Sequence, residues 1–263
     1  MTNKDTAILL STFGTSVLRA AEESYCRIAE DLERETGLDV LIVYTDTTAA
    51  KAVSTIGGRK VYTVTLGVEE SIVRRFTEII AVPMFFAQGE NYRGLKNKLD
   101  YFRDTIDIRL ADAVLSGEKA CSEAAEVIAE ILKPDPENEY ILLGYEVGAF
   151  EDRGYEMLGE ALRRNGHRNI HVIRLSERDS VGQAVARLNE RQALARDAQT
   201  VIVPLSVAWR DYLDEDMYSF DSNYFVRQLR KAGYRTVFTG KGFGEYEAFR
   251  KIFVHRFNEL VNE

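Results

Sequence analysis

The feature that most constrains this chain is a set of short apolar runs with almost no polar residue inside them: Ala7-Ile8-Leu9-Leu10, Val40-Leu41-Ile42-Val43-Tyr44, Ile79 through Phe86 and Tyr140-Ile141-Leu142-Leu143. A strand with one wet face alternates polar and apolar residues. A strand that is apolar throughout is covered on both faces, as in a parallel sheet between helices. Longer stretches with helical periodicity lie between the runs. The first, from about Val17 to Glu35, spaces Leu18, Ala21, Tyr25, Ile28, Ala29 and Leu32 near 3.6 residues apart, and Gly37 stops it. This alternation predicts an α/β fold.

The same order occurs twice. In the first half, helices are expected over 69–77, 91–103 and 118–133, with strands at 40–44, 79–86 and 106–111; residues 45–60 show no clear period. In the second half, helices are expected over 151–164, 180–196, 221–232 and 245–261, with strands at 140–143, 169–175, 200–205 and 235–239. Leu10 recurs as Leu143, and Val82-Pro83 as Val203-Pro204. Pro134-Asp135-Pro136 breaks the chain between the halves. The pattern predicts two similar lobes, 1–133 and 140–263, joined by a linker at 134–139, each a four-stranded, mainly parallel sheet flanked by helices. Ligands of open α/β sheets bind beyond the carboxyl ends of the strands, so a cleft between two such lobes is the expected functional surface.

Charge and composition narrow the partners. There are 34 Lys and Arg against 42 Asp and Glu, a net charge of −8, with no basic block, which argues against nucleic acid. No apolar stretch approaches the roughly 20 residues of a membrane span, and the N-terminus carries no secretion-signal pattern. A cytoplasmic protein without a membrane partner is the expectation. The two cysteines, Cys26 and Cys121, form no CxxC and are expected as small core residues; the three histidines, His167, His171 and His255, form no zinc motif.

Three segments stand at predicted strand ends. Ser11-Thr12-Phe13-Gly14-Thr15-Ser16 places hydroxyls and a glycine before a helix, where backbone amides can hold a phosphate or carboxylate; the alternative is that Ser16 merely caps the helix. Gly144-Tyr145-Glu146-Val147-Gly148 occupies the same position in the second half, or is an ordinary strand-to-helix turn. In Trp209-Arg210-Asp211-Tyr212-Leu213-Asp214-Glu215-Asp216-Met217, four acids fall within six residues, either as a functional loop or as a solvated helix start.

With these segments in view, the chain resembles, over nearly its whole length, the sirohydrochlorin cobaltochelatases of anaerobic cobalamin biosynthesis, which are class II chelatases. Ser11 through Ser16 looks like the family's opening Ser-Phe-Gly-Thr-Ser. Val82-Pro83 with Gly89-Glu90-Asn91-Tyr92, Leu143-Gly144 to Gly148, Pro204-Leu205 leading to Asp216-Met217, and Gly242-Phe243-Gly244-Glu245 support it. The resemblance implies two chelatase-like lobes, a tetrapyrrole substrate, a divalent metal (cobalt, iron or nickel) as second substrate, lyase activity and a homo-oligomer. It implies tetrapyrrole contacts from Ser11, Phe13, Gly14, Thr15, Ser16, Phe85, Gly89, Glu90, Arg174 and Arg210.

The family handles its metal with three histidines and a glutamate, and the matching positions here are Phe85, Tyr145, Tyr212 and Arg174. Neutral imidazole binds such metals and accepts protons near neutral pH, whereas a phenol with a pKa of about 10 does neither well. Metal binding and proton removal would then fall to Tyr145, Glu146, Asp211 and Tyr212, with Tyr145 and Tyr212 as metal ligands and Asp214 and Glu215 nearby. Three readings follow. One is a chelatase with a rebuilt site. The second is a tetrapyrrole or haem carrier that uses tyrosine as an iron ligand, as some haem proteins do. The third is a two-lobed binding protein for another anionic small molecule. Arg19, Arg59, Lys60, Arg93, Arg153, Arg174 and Arg210 are expected to line the cleft.

Overall fold

The computed structural model describes residues 5–144, 153–175, 180–190, 198–209 and 220–262. The first half contains β1 (Thr6–Thr12), α1 (Leu18–Ala21), α2 (Arg27–Thr36), β2 (Asp39–Tyr44), α3 (Thr47–Ala52), β3 (Thr55–Ile56), β4 (Arg59–Thr63), α4 (Val64–Val73), β5 (Glu78–Pro83), α5 (Glu90–Asp100), β6 (Asp107–Leu110) and α6 (Glu118–Leu132). The second contains β7 (Glu139–Gly144), α7 (Gly154–Arg164), β8 (Ile170–Arg174), α8 (Ser180–Glu190), β9 (Thr200–Leu205), α9 (Phe220–Lys231), β10 (Thr236–Phe238) and α10 (Glu247–Asn262). A π-helical turn, Glu22–Cys26, joins α1 to α2, so the helix expected from Val17 to Glu35 is continuous but locally widened.

Two sheets form, in the orders β3-β4-β2-β1-β5-β6 and β10-β9-β7-β8, and every neighbouring pair is parallel except β3 with β4. The second sheet has the four strands expected; the first has six. The difference lies in residues 45–60, which show no clear period in the sequence. There Asp46 caps α3 by accepting from Thr48 and Ala49 N–H, and Gly57-Gly58, at φ of 53° and 79°, turns β3 onto β4. Those positive angles are the conformation that only glycine adopts without cost.

Strand alternation sorts the apolar runs into two faces. Ala7, Leu9, Leu41, Val43, Ile79 and Ala81 pack with α4 and α5 side chains on the outer face of the first sheet. Ile8, Leu10, Ile42, Tyr44, Ile80 and Val82 share one buried cluster with Tyr140, Leu142, Val172, Val203 and Leu205 of the second sheet. The inner faces of both sheets therefore contribute to one connected core, together with side chains of α2, α6, α7 and α10. The outer face of the second sheet packs Ile141, Leu143, Ile173 and Ile202 with Ala184, Leu188, Phe225 and Leu229 of α8 and α9.

The helices that end the two halves tie them together. α6 packs on α7, and α10 returns to the first half, against α2, α6 and β5. The apolar stripe of α10, Phe249, Ile252, Phe253 and Phe257, is buried in the shared core, with Phe249 stacked on Phe86 at 5.4 Å between ring centroids. Among the described residues, no helix is long and apolar enough to cross a membrane.

Candidate functional site at the carboxyl ends of the strands

The carboxyl ends of the two sheets come together around Phe243. Its ring lies 6.0 Å from Phe86, just past β5, and its N–H donates to Ser206 O at 2.8 Å, just past β9. Gly244 N donates to Val207 O at 2.8 Å, and a Cβ on Gly244 would stand 2.7 Å from Ser24 Cβ in the π-turn. Only a residue without a side chain lets these three segments close up.

The loop after β1 is held from several sides. Thr12 O accepts from Thr45 N at 2.8 Å, Phe13 O from Asp46 N at 3.2 Å, and Ser11 O from Met84 N at 2.7 Å. Gly14 has φ +106°, and a Cβ there would overlap the Tyr44 ring. The loop thus needs glycine twice over, for its backbone angle and for the close approach. Ser11 and Thr12 are buried, whereas Phe13 and Ser16 are exposed. The alternative that Ser16 caps the following helix is not what the structure has: buried Thr15 accepts from Val17 N–H through Oγ1 at 3.1 Å. Ser16 therefore stands at the surface of the loop without a capping task.

After β5 the chain alternates between cores. Met84 and Phe86 enter the shared core, and Phe85 enters the outer core with Tyr92 and Leu95. Phe85 is 6% exposed, and its carbonyl accepts from Val114 N at 3.0 Å. Gly89 precedes α5 and accepts from Arg93 N, while Glu90 begins the helix at the surface. Burial, reinforced by the Asp112 charge, pushes the Tyr92 hydroxyl up to about 12; it stays protonated and donates to Ala111 O at 3.2 Å.

In the second half, Arg174 ends β8 level with Gly144 at the end of β7. Half-buried, it lines a cleft of about 350 Å³ along the β8 edge, with Tyr155, Glu156, Glu160, Arg163 and Arg187. Arg187 donates to Val172 O at 2.9 Å and so covers part of that strand's open edge. Tyr155 packs directly on Gly144, where an added Cβ would lie 2.5 Å from its ring. Tyr155 was not singled out in the sequence, where it reads as one more apolar position of α7.

Tyr145, Glu146, Arg210, Asp211 and Tyr212, with Asp214 and Glu215, lie outside the described residues. Two of the expected lining cations stand elsewhere. Arg59 and Lys60 begin β4, at the amino end of a strand parallel to β2; Arg59 pairs with Glu33 at 2.6 and 2.7 Å, and Lys60 lies over the Tyr62 ring. The β3–β4 hairpin puts them at the end of the sheet opposite the strand carboxyl ends. The three histidines are also away from the strand carboxyl ends. His171, near the start of β8, meets buried Glu139 at 2.7 Å; His255 on α10 meets Glu123 of α6 at 2.6 Å; His167 is in the turn before β8. Among the described residues, no group of three or more His, Cys, Asp or Glu side chains is arranged to hold a metal ion. Cys26 and Cys121 are both buried, as expected of small core residues.

Against this geometry, the family model described as cobalt chelatase (CbiK) matches residues 6–262. No curated protein sequence matches the chain. Among solved structures, SirB from Bacillus subtilis with Fe3+ aligns with a TM-score of 0.62 at 15% identity, over 97% of this chain and 95% of that one. The sirohydrochlorin chelatase SirB from B. subtilis subspecies spizizenii, in complex with cobalt, aligns with a TM-score of 0.60 at 14% identity, over 98% and 95%. DR2241 from Deinococcus radiodurans, a multi-domain protein with structural similarity to chelatases, gives 0.60 at 15% identity over 98% of this chain and 55% of that one. At these identities the structural likeness is one of fold.

Proposed function

The chain belongs to the cobalt chelatase (CbiK) family, and from that premise we propose that it inserts a divalent metal ion, cobalt or iron, into sirohydrochlorin or a closely related tetrapyrrole. The observation that carries this reading is the family match across residues 6–262, with the Ser11–Ser16 loop at the carboxyl end of β1. The solved chelatases of like fold, one holding Fe3+ and one cobalt, support the choice of metals.

Chelation requires that two pyrrole N–H protons leave as the metal enters. With all three histidines placed away from the strand carboxyl ends, this reading assigns proton removal to Glu146 and Asp211 and metal capture to Tyr145 and Tyr212. The exposed loop residues Phe13 and Ser16, together with Gly14, Thr15, Gly89 and Glu90, border the macrocycle. Arg174 and Arg210 meet its carboxylates, for which guanidinium is the fitting partner. Incubation of the purified chain with sirohydrochlorin and Co2+, Fe2+ or Ni2+ tests this by the change in the macrocycle's absorption. Insertion faster than in the protein-free control is expected; equal rates with all three metals overturn it.

The placement of the histidines favours a second reading, a tetrapyrrole or haem carrier without insertion activity. A phenolate is a suitable axial ligand for ferric haem, and a neighbouring guanidinium would lower the phenol pKa toward that role. Here Tyr145→Phe or Tyr212→Phe alters the ferric haem spectrum, and unchanged spectra in both variants remove this reading.

A further inference from the structure

The cleft along β8, the edge strand of the second sheet, has a glycine in its wall where the helix gains nothing from one. Gly159 lies in the interior of α7, is buried, and is not in the left-handed region, so no turn calls for it. An added Cβ would meet only ordinary contacts, 3.6 Å from Arg163 Nη1 and 3.7 Å from Val172 Cγ2. At Gly144, by contrast, it would stand 2.5 Å from a ring carbon. Glycine is the least favourable residue in a helix interior apart from proline, and alanine is the best. Alanine would fit at 159. What the glycine does is keep the cleft open between α7 and β8.

Two guanidinium groups reach this opening from helices on opposite faces of the sheet. Arg163 follows Gly159 by one turn of α7, and its Nη1 lies beside the space the glycine leaves. Arg187 of α8 is half-buried and donates through Nη1 to Val172 O at 2.9 Å, which leaves most of its N–H groups for another acceptor. Both line the same cleft of about 350 Å³, a volume within the range of small-ligand sites. Of the two glutamates that also line it, Glu156 is taken up by Arg153 at 3.1 Å, and Glu160 is exposed. Among the described residues, neither Arg163 nor Arg187 is paired with a carboxylate. Arg174, two residues past Val172, adds to the positive side. Guanidinium groups that converge on one opening suit an oxyanion, which accepts their N–H groups in pairs.

We propose that this cleft binds a small ligand that bears a phosphate or carboxylate group, held between Arg163 and Arg187 beside Val172, with Gly159 as the opening that admits it. The site does not depend on the tetrapyrrole reading, which uses Arg174 at the strand end but not Gly159, Arg163 or Arg187.

The test follows the melting temperature of the full chain against inorganic phosphate and, separately, citrate, with ionic strength held constant by sodium chloride. A ligand of the folded state raises the melting temperature with its concentration, which gives an apparent Kd. The variants are Arg163→Gln, Arg187→Gln and Gly159→Ala. The expected result is a rise for wild type with at least one of the two anions. The apparent Kd is expected to increase about tenfold in each arginine variant, the usual worth of a hydrogen bond to a charged group. It should increase severalfold in Gly159→Ala, whose melting temperature without ligand should be at or above that of wild type. A response to phosphate alone assigns a phosphate ligand, and a response to citrate alone a carboxylate. Exclusion of these anions from protein surfaces stabilises wild type and variants alike, so an equal rise in all four proteins overturns the site, as does no rise with either anion. A Gly159→Ala protein that melts well below wild type overturns the role given to the glycine.

Discussion

Arg250 of α10 donates through Nε to Asp31 of α2 at 2.6 Å, joining residues 219 positions apart. The pair is nearly enclosed, with 14% and 11% of the two side chains exposed. Arg250 also reaches the carbonyls of Gly244 and Glu245, at 3.4 and 3.2 Å. One guanidinium therefore fixes the last helix to the first half and to the turn that carries Phe243. Asp31→Ala is expected to lower stability by about 2 kcal/mol, as for a charge-assisted bond whose partner is left behind. Arg34, which also meets Asp31 at 2.7 Å but is largely exposed, should leave stability nearly unchanged on replacement by Ala. Urea midpoints of the two variants check the contrast.

The same carboxylate makes stability pH-dependent. Burial pushes Asp31 upward, but hydrogen bonds and charge from Arg250 and Arg34 outweigh it and hold the group below the ordinary aspartate value. A carboxylate lowered in the folded state contributes fully above its unfolded pKa of about 3.9, and the contribution is lost as pH falls through the folded value. Asp31→Asn cannot titrate. The gap in unfolding free energy between wild type and Asp31→Asn is therefore expected to be widest near pH 6 and to narrow steadily below pH 4, measured by urea unfolding across that range.

Thr15 and Ser16 separate structure from binding within one loop. Thr15 accepts the Val17 amide from a buried position, so Thr15→Ala should cost about 1 kcal/mol, the usual worth of one hydrogen bond within the fold. Ser16 is exposed, so Ser16→Ala should leave the melting temperature unchanged. If the loop borders the macrocycle, Ser16→Ala weakens tetrapyrrole binding while Thr15→Ala acts mainly on stability. The reverse assignment of effects in thermal melts and absorption titrations would contradict the observed geometry.

The uninterrupted apolar runs made the parallel sheets legible, because burial on both faces leaves its mark on every residue of a strand. Other features had no such local signature. β3 is two residues long and depends on a glycine turn, too short to show a period. The stripe of Phe249, Ile252, Phe253 and Phe257 declared that α10 would be buried, but an amphipathic pattern does not name its partner, and that partner is in the other half of the chain. At the site, the strand-end loops followed from the fold class. The direction of single side chains did not: Phe85 falls on the outer face because it is one residue from Met84 and Phe86.

Gly144 and Tyr155 test how the second half positions the segment that begins with Tyr145 and Glu146. The Tyr155 ring occupies the space a Cβ on Gly144 would need, at 2.5 Å, and Tyr155 is 3% exposed. Gly144→Ala should therefore destabilise by about 1–3 kcal/mol, the usual cost of overpacking a closed core. The backbone at Gly144 is not in the left-handed region, so the cost is steric and can be relieved from the other side. Tyr155→Leu removes the ring's reach, and the double variant should be more stable than the sum of the two single effects by at least about 0.5 kcal/mol, the coupling expected of residues in contact. Additive effects in urea unfolding would mean that the ring moves aside at no cost. Gly144 leads directly into Tyr145 and Glu146, so Gly144→Ala is also expected to slow metal insertion, and the double variant to recover part of the rate.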